Sequence, residues 1–331
     1  MQYTASGRCV ESSVEFPARY LKNQKGVEKR TMTNLVFWNR GSGKAEQVER
    51  LRTALPSATS TWVQMTRDLD LRESIEKELH CKCDIVFAAG GDGTVNAVVN
   101  ALMKIDAARR PCMAVIPLGT ANDFAGTLAI PDEIDRAVAL YRDRQPIPID
   151  VVRITGRGFQ RYYANVAAGG NCVRVSEELT DEIKSRWGAF SYLRGAVGVL
   201  ADMKSFRVNA EMDGQRIDDF DSWAVLVANG KTNAGRIAVA PEASPVDGLL
   251  DVVLIKDGDV MDMVEIVAGN LLGNFLECEQ VIYRQAQRLK LYSDPPMRFT
   301  LDGEVVDEEP VEFECVPGAI RMFCGPEFGQ T

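Results

Sequence analysis

Histidine is almost absent from this chain: His80 is the only one in 331 residues. A Ser-His-Asp triad or a histidine-based metal site would have to be built around it, yet it ends a helix-like run beside Cys81, away from every glycine-rich loop. It reads as structural. No apolar run approaches the ~20 residues of a membrane span, the N-terminus lacks a signal-peptide core, and no low-complexity tract or internal repeat stands out. Cysteines spaced for zinc are missing too. Of eight, only Cys81 and Cys83 stand close, as C-x-C, so the thiols are expected to be reduced, in a cytoplasmic protein. Nor is there an excess of basic charge. The 38 Lys and Arg against 47 Asp and Glu leave a net charge of −9, which argues against a nucleic-acid partner.

What is present is the composition of a globular protein, 46% hydrophobic and 26% charged, with length for two domains. From 34 to about 150, strand-like runs at 35–39, 61–66, 84–89 and 113–117 alternate with helix-like runs at 44–55, 71–80, 94–105 and 134–143. That alternation predicts a parallel sheet covered by helices. After residue 150 short alternating segments dominate, with Asp-Gly pairs at 213, 247, 257 and 302 that predict hairpin turns. Helical insertions are expected at 177–203 and 260–272, and the last strand at 319–324. The expected organisation is a poorly ordered or membrane-contacting basic extension at 1–31, an α/β domain at 32–150, a mostly antiparallel β domain at 151–325 and a tail at 326–331.

The stretch AAGGDGTVNAVVNAL (88–102) follows an apolar strand and opens an amphipathic helix. Glycines at such a junction let main-chain amides approach an anion, and the helix N-terminus adds partial positive charge. A tight turn alone would need one or two glycines; here three flank Asp92. Two familiar phosphate motifs do not fit. G-x-G-x-x-G fails because Asn96 stands where its third glycine belongs, and a Walker A loop around Gly43 and Lys44 fails at Trp38 and Ala45. A second loop, PLGTANDFA (117–125), has the same strand-loop-helix setting. Its Thr120, Asn122 and Asp123 serve either as helix caps or, beside the first loop, as a nucleotide site whose carboxylates Asp92 and Asp123 reach Mg²⁺.

GGDGTVN, PLGTANDFA, DGLLDVVLI and FTLDGE, in that order, resemble the diacylglycerol-kinase-type catalytic domain of bacterial lipid kinases, close to the YegS-like branch. The likeness runs from about Leu35 to Cys324. It implies an N-terminal parallel-sheet α/β nucleotide domain of phosphofructokinase or NAD-kinase type and a C-terminal, mostly antiparallel β-sandwich domain with helical insertions, with catalysis between them. By that resemblance ATP is bound by Gly90, Gly91, Asp92, Gly93, Thr94, Val95, Asn96 and Ala97, by Thr66, by Thr120, Asn122 and Asp123, and by Asn39, Ser42 and Gly43 of the first loop. There Arg40 replaces the family's usual proline, which puts the rigidity of that loop in question. The resemblance further implies that Ser244, Asp247 and Leu249 hold a structural Mg²⁺ or Ca²⁺ through oxygen ligands, where an Asp-Gly turn alone would need no metal. Glu304 is implied as the proton acceptor, with Asp302 its neighbour or a ligand near the metal and Asp92 the rival base.

The implied activity is ATP- and Mg²⁺-dependent transfer of the γ-phosphoryl group to a lipid hydroxyl: diacylglycerol, phosphatidylglycerol or a sphingoid base. The partners are then ATP and a lipid at a membrane surface, touched peripherally from the cytoplasm, and a homodimer is allowed. The stretch RWGAFSYLRGAVGVL (186–200) reads as a core helix, as a lipid-facing one, or as both. An NAD kinase, which shares G-G-D-G-T, and a nucleotide-binding regulator without turnover are the alternatives. PLGTANDFA with LDGE argues against the first, and the set Asp92, Asp123, Asp302 and Glu304 against the second.

Overall fold

Strands apolar on both faces build the first sheet of this computed structural model, which describes residues 32–55, 57–81, 83–173, 203–235, 237–302, 304–306 and 310–329. The extension at 1–31 and the stretch at 186–200 lie outside these residues. β1 (Asn34–Trp38), β2 (Ser60–Gln64), β3 (Ile85–Gly90) and β4 (Cys112–Pro117) run parallel in the order β2-β1-β3-β4. Every residue of β3 and β4 is buried, as helices on both faces of a parallel sheet require. Each buried Val, Leu or Ile stabilises the fold by about 1.5–3 kcal/mol.

The connecting helices follow their apolar spacing. They are α1 (Val48–Ala54), α2 (Leu71–His80), α3 (Asp92–Met103), α4 (Asp123–Thr127) and α5 (Ile134–Asp143). Asp70 caps α2 by accepting the Glu73 amide at 3.1 Å, satisfying one donor that the first turn leaves over. α5 buries Ile134, Ala137, Val138 and Tyr141, and Tyr141 stacks edge-on against Phe87 and Phe323. At the end of α3 the Arg110 guanidinium donates to the carbonyls of Leu102, Ile105 and Ala319.

The remaining strands pair antiparallel, apart from one contact. In chain order they are β5 (Ile147–Gly156), β6 (Phe159–Tyr163), β7 (Val166–Gly170), β8 (Phe206–Met212), β9 (Gln215–Ala228), β10 (Thr232–Asn233), β11 (Ile237–Ala238), β12 (Leu250–Lys256), β13 (Val281–Ala286), β14 (Arg288–Asp294), β15 (Phe299–Leu301), β16 (Glu304–Val306) and β17 (Pro310–Met322), with α6 (Val260–Leu272) between β12 and β13. Period-two alternation separates two cores. Val225, Val227, Val252 and Leu254 face one, with Phe299 and Phe313. Leu226, Ala228 and Val253 face the other, with Ile266 of α6 and Phe275. The exceptional contact is at the chain's end, where Met322 of β17 pairs parallel with Met113 of β4, so one hydrogen-bonded sheet runs through both halves.

Three expectations need correction. The last strand starts at Pro310, not 319, and ends at Met322. A register shift between Val316 and Ile320, with Gly318 at φ +57°, interrupts it, and the Pro317-Gly318 pair reads as a break that separates the alternating run before it from 319–324. Asp247-Gly248 is not a hairpin. Asp257-Gly258 is not one either: it leads from β12 into α6, where Asp259 and Asp262 form a capping box. The other two pairs behave as expected. Asp213 and Gly214 take φ +48° and +81°, the mirror-image turn that matches strand twist, and β15 meets β16 with Leu301 opposite Glu304.

Candidate active site

The C-terminal ends of β1 to β4 share one edge, where open α/β sheets bind ligands. Asn39 and the loop to Lys44 follow β1, Thr66 follows β2 and is exposed, Gly90 to Asn96 end β3 and open α3, and Leu118 to Asp123 follow β4. Main-chain bonds tie these segments together. Lys44 donates to Leu118 O at 2.9 Å, Leu118 to Gly90 O at 2.9 Å, and Asn39 to Ala89 O at 3.3 Å. The first loop is held without the family's proline. Asn39 Oδ1 accepts the Gly41 amide at 2.8 Å, and its carbonyl accepts the Ser42 amide at 3.2 Å.

Neighbouring groups account for most of the loop glycines. A Cβ on Gly90 would strike the side chain of Thr94; one on Gly43 would lie 2.9 Å from Thr120 Oγ1; one on Gly91 would lie 3.1 Å from Gly119 Cα. Gly93 differs. Its φ is not left-handed, and beyond its chain neighbours and its own helix backbone a Cβ there would meet nothing within 4 Å, although glycine inside a helix costs about 1 kcal/mol relative to alanine. Its missing side chain therefore leaves open space at the first turn of α3, where no side chain caps the helix and the leading amides lack helical acceptors. Val95 is buried behind that turn and Ala97 half-buried. Asn122, buried at φ +53°, braces its own loop, accepting from Gly119 N and donating to Gly119 O, both at 2.9 Å.

Three aspartates converge beside this turn. Asp92 Oδ1 accepts the Phe124 amide at 3.1 Å; burial pushes its carboxyl up, and the charge of Asp123 adds to the shift. Asp123 is buried and accepts the Gly235 amide at 3.0 Å. Asp302 stands across from them in the link between β15 and β16, at φ +47°. Its oxygens accept the amides of Ala164 and Asn165, each at 3.2 Å, and of Val166 at 3.0 Å. Burial drives Asp302 up to about 7 against the pull of those amides, with the charge of Asp92 contributing. The glycine turn and the D-G-E hairpin are thus within electrostatic reach of each other. Asn96 spans the same interval, its Nδ2 donating to Leu301 O at 3.4 Å. Glu304, opposite Leu301, is exposed.

The Ser244 to Leu249 loop is elsewhere in the β-rich half. Asp247, exposed, accepts the Leu249 amide at 2.9 Å, and its own amide lies 3.4 Å from Ser244 O. Asp150 accepts the Gly248 amide at 2.8 Å and that of Gly318 at 2.7 Å. Sequence reasoning passed over Asp251. It is fully buried, takes bonds from Tyr283 and Gln285 on Oδ1, and has no partner for Oδ2 among the described residues. Burial raises its pKa, and the charge of Asp247 adds. Among the described residues no three His, Cys, Asp or Glu side chains gather as an ion site.

Residues 33–154 match the diacylglycerol kinase catalytic domain, and residues 164–324 the YegS C-terminal NAD kinase beta sandwich-like domain. The Pectobacterium atrosepticum protein named "Probable lipid kinase YegS-like" is 30% identical over 91% of this chain and 98% of its own. The chain belongs to the diacylglycerol kinase catalytic-domain family. By family it is a kinase. A second relative, the diacylglycerol kinase of Bacillus subtilis (strain 168), is 31% identical over 70% of this chain and 74% of its own. A crystal structure of a diacylglycerol kinase from Bacillus anthracis str. Sterne superposes with a TM-score of 0.71 at 23% identity, covering 90% of this chain and 99% of the other; it shares the fold.

Sequence reasoning also missed Asn100 and Thr127, both within the stretch that matches the catalytic domain. Asn100 bonds both main-chain groups of Tyr162, and Thr127 accepts the Lys231 amide. Neither stands in a recognisable motif. Their partners lie 62 and 104 residues away, so no local signal marks them.

Proposed function

We propose that this kinase transfers the γ-phosphoryl group of ATP to the hydroxyl of a lipid: diacylglycerol, phosphatidylglycerol or a sphingoid base. Residues 32–150 hold the nucleotide, and 151–325 the acceptor. The open space at Gly93 carries the reading, because a helix N-terminus with its partial positive charge and no side chain in the way is suited to a phosphate chain. The names of the relatives favour a lipid acceptor. Thr66, Thr120, Ser42 and Gly43 border the same edge as further nucleotide contacts.

The surroundings of the candidate bases favour one of them. Both oxygens of Asp302 and one of Asp92 are engaged by main-chain amides, whereas Glu304 is exposed at the start of its strand. Glu304 is therefore the group to accept the hydroxyl proton, and Asp302 fixes the hairpin that presents it. The pair Asp92 and Asp302 suits Mg²⁺ delivered with ATP, since both carboxyls are raised chiefly by burial, with the charge of Asp92 adding at Asp302, and a cation would relieve them while the phosphates supply its other ligands. Bound there, Mg²⁺ would neutralise charge on the triphosphate. The Asp247 loop, with one carboxylate and main-chain carbonyls, suits a structural Mg²⁺ or Ca²⁺. Contact with the membrane is peripheral, from the cytoplasmic side; no described helix is long and apolar enough to cross a bilayer.

The test is transfer of labelled γ-phosphate from ATP to a lipid panel, with NAD as a parallel acceptor. Lipid should be labelled and NAD should not. Glu304→Gln should lower kcat by about 10²–10⁴-fold while ATP affinity changes little. Label on NAD alone, or an unchanged kcat in the variant, would overturn the reading.

A further inference from the structure

The hairpin of β10 and β11 belongs to the β-rich half, yet side chains of the second nucleotide loop hold it. Its strands pair at Thr232 with Ala238 and Asn233 with Ile237, and Lys231 O accepts the Val239 and Ala240 amides, a ladder too short to keep a shape unaided. At its tip the Gly235 amide donates to Asp123 Oδ2 at 3.0 Å, and at its base the Lys231 amide donates to Thr127 Oγ1 at 3.2 Å. Both acceptors lie on α4, the helix opened by the Gly119 to Asp123 loop. On its other side, Thr232 O accepts from Asn165 Nδ2 at 2.8 Å, and the Asn165 amide is one of the three on Asp302. The hairpin is thus held between α4 and the segment that anchors Asp302, and Asn270 of α6 donates to Ala238 O on its second strand at 2.5 Å.

Its tip is also strained. Ala234 takes φ +56° and Gly235 φ +92°. A left-handed alanine is unfavourable and persists only where its surroundings impose it. Here they include the Asp123 bond and an Asn233 Oδ1 that accepts the Ala234 amide at 2.9 Å. Asp92 Oδ1 accepts the Phe124 amide at 3.1 Å, so the glycine turn is bonded to the same short helix that holds the hairpin.

We propose that Asp123 and Thr127 are positioning residues that set this hairpin along the acceptor's path and couple acceptor binding to nucleotide binding. The proposal rests on reading the site as a phosphotransfer site, because the acceptor hydroxyl must then lie between the glycine turn and Asp302, the interval the hairpin borders.

Hydrogen exchange at the Lys231 and Gly235 amides tests this directly in the full chain, with and without Mg²⁺ and a non-hydrolysable ATP analogue. In wild type the analogue should slow exchange at both amides at least threefold. Thr127→Val, which keeps the shape but cannot accept the bond, should speed exchange at Lys231 about tenfold and remove most of the analogue's effect there; Thr127→Ser should restore both. Asp123→Ala should do the same at Gly235. With dioleoylglycerol in phosphatidylcholine vesicles, Thr127→Val should raise the acceptor KM several-fold and the ATP KM less than twofold. Analogue binding that leaves both amides unchanged, or a rise in ATP KM equal to that in acceptor KM, would overturn the proposal. If wild type labels no lipid at all, the lipid-kinase reading fails, and the exchange experiment still decides whether nucleotide and hairpin are coupled.

Discussion

Gly91 and Gly119 meet main chain to main chain: a methyl group on Gly91 would lie 3.1 Å from Gly119 Cα, and one on Gly119 would run into Gly91 Cα and to within 2.7 Å of Asn122 Oδ1. The two glycine-bearing loops therefore support each other through glycines that the fold itself demands. Gly93, two residues on, is not demanded in this way.

That contrast is testable. Gly119→Ala should destabilise the protein by about 1–3 kcal/mol, as overpacking does, and weaken nucleotide binding. Gly93→Ala should leave stability unchanged or raise it by up to about 1 kcal/mol, while ATP affinity falls at least tenfold. Denaturant unfolding beside nucleotide titration separates the two; equal stability loss in both variants would refute the distinction.

A pH dependence arises from Asp302. Its pKa is raised from 3.8 to about 7 in the folded protein, so between those values the folded state binds a proton that the unfolded state has lost. Its contribution to stability is fully present below about 4 and disappears as pH rises through about 7. Asp302→Asn removes the titration. The difference in melting temperature between wild type and this variant should change progressively from pH 4 to pH 7, wild type losing ground as pH rises, and a constant difference would contradict the assignment.

Asn100 joins α3 to β6 by donating to Tyr162 O at 2.7 Å and accepting from Tyr162 N at 2.9 Å. Asn100→Ala leaves both main-chain groups without their partner and should cost about 2–3 kcal/mol in denaturant unfolding. A loss below about 0.5 kcal/mol would mean that water replaces the side chain freely.

The Asp247 loop predicts an ion effect on stability. Millimolar Mg²⁺ or Ca²⁺ should raise the Tm of wild type with a dependence on concentration, and Asp247→Ala should abolish the rise without altering ATP affinity. A shift of equal size in the variant would assign the ion elsewhere.

Much of this architecture is legible from neighbouring residues alone. The helices at Leu71–His80 and Ile134–Asp143 and the insertion at Val260–Leu272 match their expected ranges because apolar spacing marks their extent. The four parallel strands agree within two residues for the same reason. The first part of β17 is legible, though passed over, since Glu312 and Glu314 alternate with the buried Phe313 and Cys315 at strand period; only the folded sheet shows Arg288 and Arg153 beside those glutamates. Distant contacts hide the rest. Asp247-Gly248 and Asp257-Gly258 carry the same dipeptide as the true hairpins, but the second runs into a helix. At the candidate site, the motifs point to Asp92, Asp123 and Asp302, while nothing near Asp302 in sequence foretells its three amide donors at 164–166.

Met322 lies against Met113, although more than half the chain separates them. During synthesis the outer edge of β4 must wait for this partner until Met322 has left the ribosome, and an exposed strand edge invites pairing with other chains. A protein truncated shortly before Ile320 would lack this closing stitch and should aggregate as it emerges, even though every glycine and aspartate of the candidate site would still be in place.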